Sequence, residues 1–225
     1  MSFEIQGILK RIDSTFLKPN ASRKDIERLC MDARKYGFAA VCVNPYFVGF
    51  ASELLKGTEV RVCGVVGFPL GATLKEVKVA EARLVKKFGA SEIDMMVNLS
   101  AFKSGKYDEV KEEIAEVRKI IGEGVLKVII ECCYLNDEEK ILLASLAEEA
   151  GADYIKTSTG FGPAGAKIED VKLLRRVLKP ETGIKAAGGI RSAEQVKEFL
   201  IAGADRIGTS SAVKIAEELL GSSEV

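Results

Sequence analysis

The chain predicts an α/β protein, a (β/α)8 barrel forming one domain over residues 1–225. Three observations carry this. Short apolar segments alternate with helix-like segments at spacings of roughly 22 to 34 residues, and eight such pairs fit along the chain. The strand-like segments are apolar without strict alternation, as expected when helices cover one face of a parallel sheet and a packed interior fills the other. No Gly-x-Gly-x-x-Gly follows the first strand, which the runner-up, an open doubly wound sheet, would normally carry. A closed barrel also leaves no edge strand exposed.

In chain order, Arg11 to Leu17 reads as a first strand closed by Pro19-Asn20. Ser22, with Asp25 three residues on, starts a helix through Ile26, Leu29 and Ala33 that Gly37 stops. Ala39 to Asn44 is a second strand, Tyr46 to Leu55 a helix, and Val60 to Gly67 a third strand. Leu74, Val77, Leu84 and Phe88 mark the apolar face of a long helix ended by Gly89. Glu92 to Asn98 is the fourth strand, followed by a helix on Val110, Ile114, Val117 and Ile121. Val125 to Cys132 is the fifth strand, and Asn136 or Asp137 caps the next helix. Asp153 to Lys156 is the sixth strand. The helix after it carries Val171, Leu174 and Leu178, and Gly183 to Ala187 is the seventh strand. Ser192 and Gln195 make a capping box. Arg206-Ile207-Gly208 is a short eighth strand, and Ser211 to Leu220 the last helix.

Composition narrows the function. The 33 basic and 33 acidic residues cancel, so no overall field attracts nucleic acid or an anionic membrane. The longest apolar stretch, Val60 to Leu74, is broken by Arg61, three glycines and Pro69, and cannot span a bilayer. Met1 to Gln6 lacks the shape of a signal peptide. The five cysteines include no Cys-x-x-Cys pair, so neither a disulfide framework nor a zinc ribbon is expected. A cytoplasmic protein follows. Histidine is absent, which removes the commonest general base and metal ligand. Any acid–base chemistry must use Lys, Asp, Glu, Tyr, Cys or water, and neither a metal nor a cofactor is expected.

One phrase recurs: Gly89-Ala-Ser-Glu-Ile93, Gly151-Ala-Asp-Tyr-Ile155 and Gly203-Ala-Asp-Arg-Ile207. The residues that follow are Asp94, Lys156 and Gly208. They fall on strands four, six and eight, and alternate barrel strands feed the same interior layer. Asp94 and Lys156 should therefore point inward at one height, with Gly208 leaving room beside them. Lys127 and Lys185 lie in the odd strands between. A buried lysine is costly unless it is paired, neutral or reactive. A second ammonium and desolvation disfavour the charged form of an amine. Lys185 could thus keep Lys156 uncharged, free to attack a carbonyl and form an iminium. Asp94 is placed to move protons. Gly188-Gly189 after strand seven and Gly208-Thr-Ser-Ser211 after strand eight resemble barrel phosphate loops.

Several blocks resemble the deoxyribose-phosphate aldolase family: Ile12-Asp13-x-Thr15-x-Leu17-Lys18-Pro19, Val41-Cys-Val-Asn-Pro45, Glu92-Ile-Asp-Met-Met-Val-Asn98, Leu126-Lys-Val-Ile-Ile-Glu131, Lys156-Thr-Ser-Thr-Gly-Phe161 and Lys185-Ala-Ala-Gly-Gly-Ile-Arg191. The resemblance runs from about Ile12 to Ser211 and implies a class I aldolase on a (β/α)8 barrel. Such an enzyme interconverts 2-deoxy-D-ribose 5-phosphate with acetaldehyde and D-glyceraldehyde 3-phosphate. By this resemblance Lys156 is the Schiff-base lysine, Asp94 and Lys185 exchange protons, and Lys127 supports the site electrostatically. Asp13, Thr159, Gly160, Gly188, Gly189, Gly208, Ser210 and Ser211 would bind substrate and phosphate. Partners would be small phosphosugars and aldehydes, and a homo-oligomer of two or four copies is expected. Ser14 and Cys132 depart from commoner His and Thr. The chain ends Gly221-Ser-Ser-Glu-Val225 without the tyrosine tail of some members, which bears on enamine protonation rather than on reaction class. Cys42 reads as core. The competing readings are a Schiff-base aldolase of another phosphorylated sugar and a non-catalytic phosphosugar-binding barrel.

Overall fold

The first strand, β1 (Ile12–Phe16), pairs in parallel both with the second and with the last, so the sheet closes into a barrel with its eight strands in chain order. The computed structural model describes residues 4–221; the C-terminal residues whose lack of tyrosine is noted above lie mostly outside them. A short helix that the sequence reading does not contain, α1 (Ile5–Leu9), precedes β1. Then come α2 (Arg23–Tyr36), β2 (Ala40–Val43), and a 3-10 turn (Pro45–Phe47) running into α3 (Val48–Leu54). β3 (Arg61–Val66), α4 (Lys75–Lys87), β4 (Glu92–Met96), a short α5 (Leu99–Lys103) and α6 (Tyr107–Ile121) follow. The second half holds β5 (Val125–Ile129), α7 (Asp137–Glu149), β6 (Tyr154–Lys156), α8 (Ile168–Val177) and β7 (Gly183–Ala187). It ends with α9 (Ala193–Ala202), β8 (Arg206–Thr209) and α10 (Ala212–Gly221).

Local chemistry sets the boundaries. Ser22 Oγ accepts from the Asp25 N–H, and the Asp25 carboxylate accepts from the Ser22 N–H at 2.8 Å, the reciprocal cap the sequence predicts. Asn136 and Glu139 do the same for α7. The box expected at Ser192 is only half made. Ser192 Oγ accepts from Gln195 N–H, but the Gln195 side chain accepts from Arg191 N–H instead.

The face of α4 is a correction. Leu74, Val77, Leu84 and Phe88 point to solvent, with Leu74 70 % exposed. The inner face is Lys78, Val79, Ala82 and Val85. Lys78 is fully buried, donating to the Met96 carbonyl at 2.9 Å and to Glu113 Oε2 on α6 at 2.8 Å. A lysine on the core side and leucines on the solvent side invert the hydropathy pattern from which a helix face is read.

The apolar core is the shell between strands and helices, including Ile93, Val128, Ile155, Ile184 and Ile207 from the strands' outer faces. The other strand face turns into the barrel. There the sequence places charge, and the closed sheet brings together residues far apart in the chain.

Candidate active site

Strand register decides which side chains meet. Asp94 pairs with Lys127 across β4 and β5, and Lys156 with Lys185 across β6 and β7. Tilted strands then place Asp94 against Lys156 although the two are not paired. Asp94 Oδ2 accepts from Lys156 Nζ at 2.7 Å and from Lys185 Nζ at 2.7 Å, so the two amines lie within twice that distance of each other. Asp94 Oδ1 accepts from Lys127 Nζ at 2.9 Å and from the Cys63 thiol at 3.1 Å. Asp94, Lys127 and Lys185 are fully buried, and Lys156 is 2 % exposed. The Lys156 ammonium also sits 5.8 Å from the centre of the Phe68 ring.

A cavity of about 230 Å³ opens above this cluster at the C-terminal ends of the strands. Its lining includes Lys156, Gly160, Gly188, Gly189, Gly208 and Ser210. Of the buried ionic cluster, Lys156 alone lines it. Gly208 is tight for a physical reason: a Cβ there would meet Lys185 Cε at 2.9 Å and Ala187 Cβ at 3.0 Å. The mouth is held by its own backbone. Gly165 lies so close to Gly188 that a Cβ would fall 2.2 Å from the Gly188 carbonyl oxygen, and Ala166 N–H donates to that same oxygen at 3.0 Å. The loops after β6 and β7 are thereby fastened together.

Three of the assigned positions have partners within the protein. Asp13 is fully buried beneath the cavity and does not line it. It accepts from Lys185 at 2.5 Å and from Arg206 at 2.9 Å, as a counter-ion to both. Thr159 lines the cavity, but its hydroxyl donates to Glu131, and its backbone N–H donates to the same carboxylate. Ser211 is outside the lining; its N–H donates to Thr209 Oγ1. The sequence reading also missed residues. Lys18 and Arg191 add two cations to the lining beside the glycine loops, the charge a phosphate would want. Both stand inside the blocks that carry the family resemblance, next to Pro19 and after Gly188-Gly189. Glu131, at φ 49°, clamps the Thr159 loop; it ends the Leu126–Glu131 block, but nothing in the sequence gives it this role.

The electrostatics follow from burial opposed by pairing. Burial works against the Asp94 carboxylate, but Lys127, Lys156 and Lys185 outweigh it and hold its pKa well below the usual range. Burial likewise opposes the Asp13 anion, yet Lys185, Arg206 and Lys127 keep its pKa at about 2. Lys185 and Lys127 are also desolvated, and their carboxylate partners push both above the ordinary lysine range. Pairing thus favours the charged form of Lys185. That ammonium reaches Lys156 through Asp94, not as the bare neighbouring charge the sequence suggests.

Among the described residues, Cys42, Cys63 and Asp94 could be taken for a metal site, their ligand atoms lying within 4.8 Å of one another. The donor set does not suit a cation, because three ammonium groups already occupy the Asp94 oxygens.

Comparison with known proteins agrees with this geometry. The profile described as DeoC/LacD family aldolase matches residues 8–212. A deoxyribose-phosphate aldolase of Caldanaerobacter subterraneus subsp. tengcongensis is 57 % identical over 217 residues, covering 95 % of this chain and 94 % of its own. One from Thermococcus gammatolerans is 57 % identical over 214 residues, 93 % of this chain and 95 % of its own. Among solved structures, an aldolase called QR15 superposes with a TM-score of 0.93 at 47 % identity, over 96 % of this chain and 97 % of that one. The Aeropyrum pernix deoxyribose phosphate aldolase, described as a unique tetramer, gives 0.90 at 38 % identity, over 99 % and 94 %. With the motif blocks, the barrel and the lysine–aspartate cluster all in place, the chain belongs to the DeoC/LacD family of aldolases.

Proposed function

We propose that this cavity cleaves 2-deoxy-D-ribose 5-phosphate to acetaldehyde and D-glyceraldehyde 3-phosphate, reversibly, through a Schiff base on Lys156. The observation that carries the residue assignment is one amine, Lys156 Nζ, facing the cavity while bonded at 2.7 Å to a buried carboxylate. The phosphate is held at the other end, by backbone N–H groups near Gly188, Gly189 and Ser210 with Lys18 and Arg191 nearby.

The steps follow from the geometry. The Lys156 lone pair adds to the aldehyde carbon, and the carbinolamine loses water to give an iminium. The hydroxyl two carbons away gives up its proton, and the carbon–carbon bond beside it breaks. Its electrons flow into the iminium, leaving an enamine and releasing glyceraldehyde 3-phosphate. Protonation of the enamine carbon and hydrolysis then release acetaldehyde and free Lys156. Asp94, within hydrogen-bond reach of Lys156, passes these protons directly or through a water. Lys185 and Lys127 hold Asp94 in place.

Borohydride reduction in the presence of substrate, followed by peptide mapping, should place the adduct on Lys156. Lys156→Ala should lower turnover by about 10⁶-fold, the scale on which enzymes lose a nucleophile, with the melting temperature kept. Asp94→Asn should lower kcat by about 10²- to 10⁴-fold with little change in KM. An adduct elsewhere, or a KM-only effect, would reverse these roles. Faster cleavage of a different phosphorylated sugar would point to a sister aldolase. Binding without turnover would point to a phosphosugar-binding barrel.

The reading extends to the whole protein. One aldolase domain accounts for residues 1–225. The facing thiols of Cys42 and Cys63, both free, support a reducing, cytoplasmic setting. The solvent-facing apolar row of α4 supports association of identical copies.

A further inference from the structure

Below the reacting lysine the barrel holds a second inward layer, two residues earlier on the same strands. The recurring phrase puts Glu92, Tyr154 and Arg206 there, each two positions before Asp94, Lys156 and Gly208. Arg206 Nη2 donates to Glu92 Oε1 at 3.1 Å and Nη1 to Asp13 Oδ1 at 2.9 Å. Glu92 Oε2 lies 2.5 Å from Lys127 Nζ, an ion pair outside hydrogen-bond alignment. Lys127 donates to Asp94, Asp94 accepts from Lys185, and Lys185 donates to Asp13, which returns to Arg206.

We propose that Arg206 and Glu92 are positioning residues for Schiff-base formation, because they close the buried charges into a ring of alternating sign that leaves Lys156 as its one surplus cation. The inference rests on the Schiff-base reading above. Around the ring each cation bridges at least two carboxylates: Arg206 spans Asp13 and Glu92, Lys127 spans Glu92 and Asp94 and lies 3.7 Å from Asp13, and Lys185 spans Asp94 and Asp13. Lys156 has only a share of Asp94. Four buried cations thus face three buried carboxylates. Loss of one proton from Lys156 brings the enclosed set to zero charge, which a low-dielectric interior favours. That proton leaves by the cavity, which the other three cations do not line.

The other groups that face the ring are two thiols, two aromatic rings and one solvated guanidinium. The Cys42 and Cys63 thiols approach Asp94 from β2 and β3. The Tyr154 ring lies 5.7 Å from the Arg206 guanidinium, and the Phe68 ring lies over Lys156. Arg61 reaches Glu92 at 3.3 Å from the outer end, but its side chain is 54 % exposed and its charge is solvated.

The test is the acidic limb of kcat/KM against pH for deoxyribose 5-phosphate cleavage, where activity rises as Lys156 loses its proton. Arg206→Met removes a positive charge, so Lys156 keeps its proton longer and the limb should move up by about one pH unit. Glu92→Gln removes a negative charge, and the limb should move down by about as much. The double variant should bring it back toward the wild-type position. Arg206→Lys keeps the charge but cannot span both carboxylates, so kcat should fall at least about fivefold with the limb unmoved. Damaged packing lowers rates without moving the limb in opposite directions. Limbs that stay put, or move together, in variants with wild-type circular dichroism would overturn the inference. If Arg206→Met does not fold, the isosteric Glu92→Gln decides the sign alone. Failure to trap an imine on Lys156 in the wild type would instead remove the underlying reading; an imine in every variant with unshifted limbs removes only the ring.

Discussion

Asp13 does not line the cavity, and its carboxylate faces Lys185, Arg206 and, at 3.7 Å, Lys127. Its role is to be negative where cations must be held. Removing one partner of a buried ion network leaves the others uncompensated, so Asp13→Asn should lower unfolding free energy by about 3 kcal/mol at neutral pH. The pH window follows from the sign of its shift. A carboxyl whose pKa is depressed to about 2 in the folded state contributes fully above its unfolded value and loses that contribution as pH falls toward 2. Denaturant unfolding at several pH values should therefore show the wild type and Asp13→Asn converging between about pH 4 and pH 2. A constant gap across that window would contradict the assignment. The sequence displays Asp13 plainly, inside Ile12-Asp13-x-Thr15, but it does not display its partner. Arg206 is 193 positions away and meets Asp13 only because the last strand closes on the first. Asp94 and Lys156 were legible together because the repeated phrase puts them at equivalent places on alternate strands. That argument needs periodicity alone, not closure.

Between α4 and α6 a different buried pair does structural work outside the barrel. Lys78 and Glu113 are both buried, and burial pushes the lysine's pKa down and the glutamate's up. The pair also satisfies backbone. Lys78 donates to the Met96 carbonyl, and Glu113 accepts from the Asn98 N–H at 2.7 Å, so it fastens the end of β4. Lys78→Met should cost about 3–5 kcal/mol, because Glu113 is left charged and unpaired. Lys78→Met with Glu113→Leu should recover much of the loss, measurable as the coupling in a double-mutant cycle. This pair is also why α4 misleads. Its ends and length were legible, while its phase was not, since hydropathy cannot distinguish a buried paired lysine from a solvated one. The short α1, with no acidic or basic end signals and no side-chain cap, offered nothing to read.

For the molecule as a whole, the inverted face of α4 leaves Leu74, Val77, Leu84 and Phe88 uncovered on one side of the barrel. Their spacing of three, seven and four residues keeps them on a single stripe. Association of identical copies would cover it, and Leu84→Glu with Phe88→Glu should shift the protein to a smaller species by light scattering. The kcat of the dissociated form should stay within about threefold, because Leu84 and Phe88 lie at the far end of α4, towards the face opposite the strands' C-terminal ends. An unchanged mass would assign the stripe elsewhere. At the other side of the scale, the contact between Gly165 and Gly188 has a consequence for encounter with substrate. Two loops that already share a hydrogen bond have little freedom left to surrender when an anion docks, so recognition there draws on a cradle finished at folding rather than assembled on arrival.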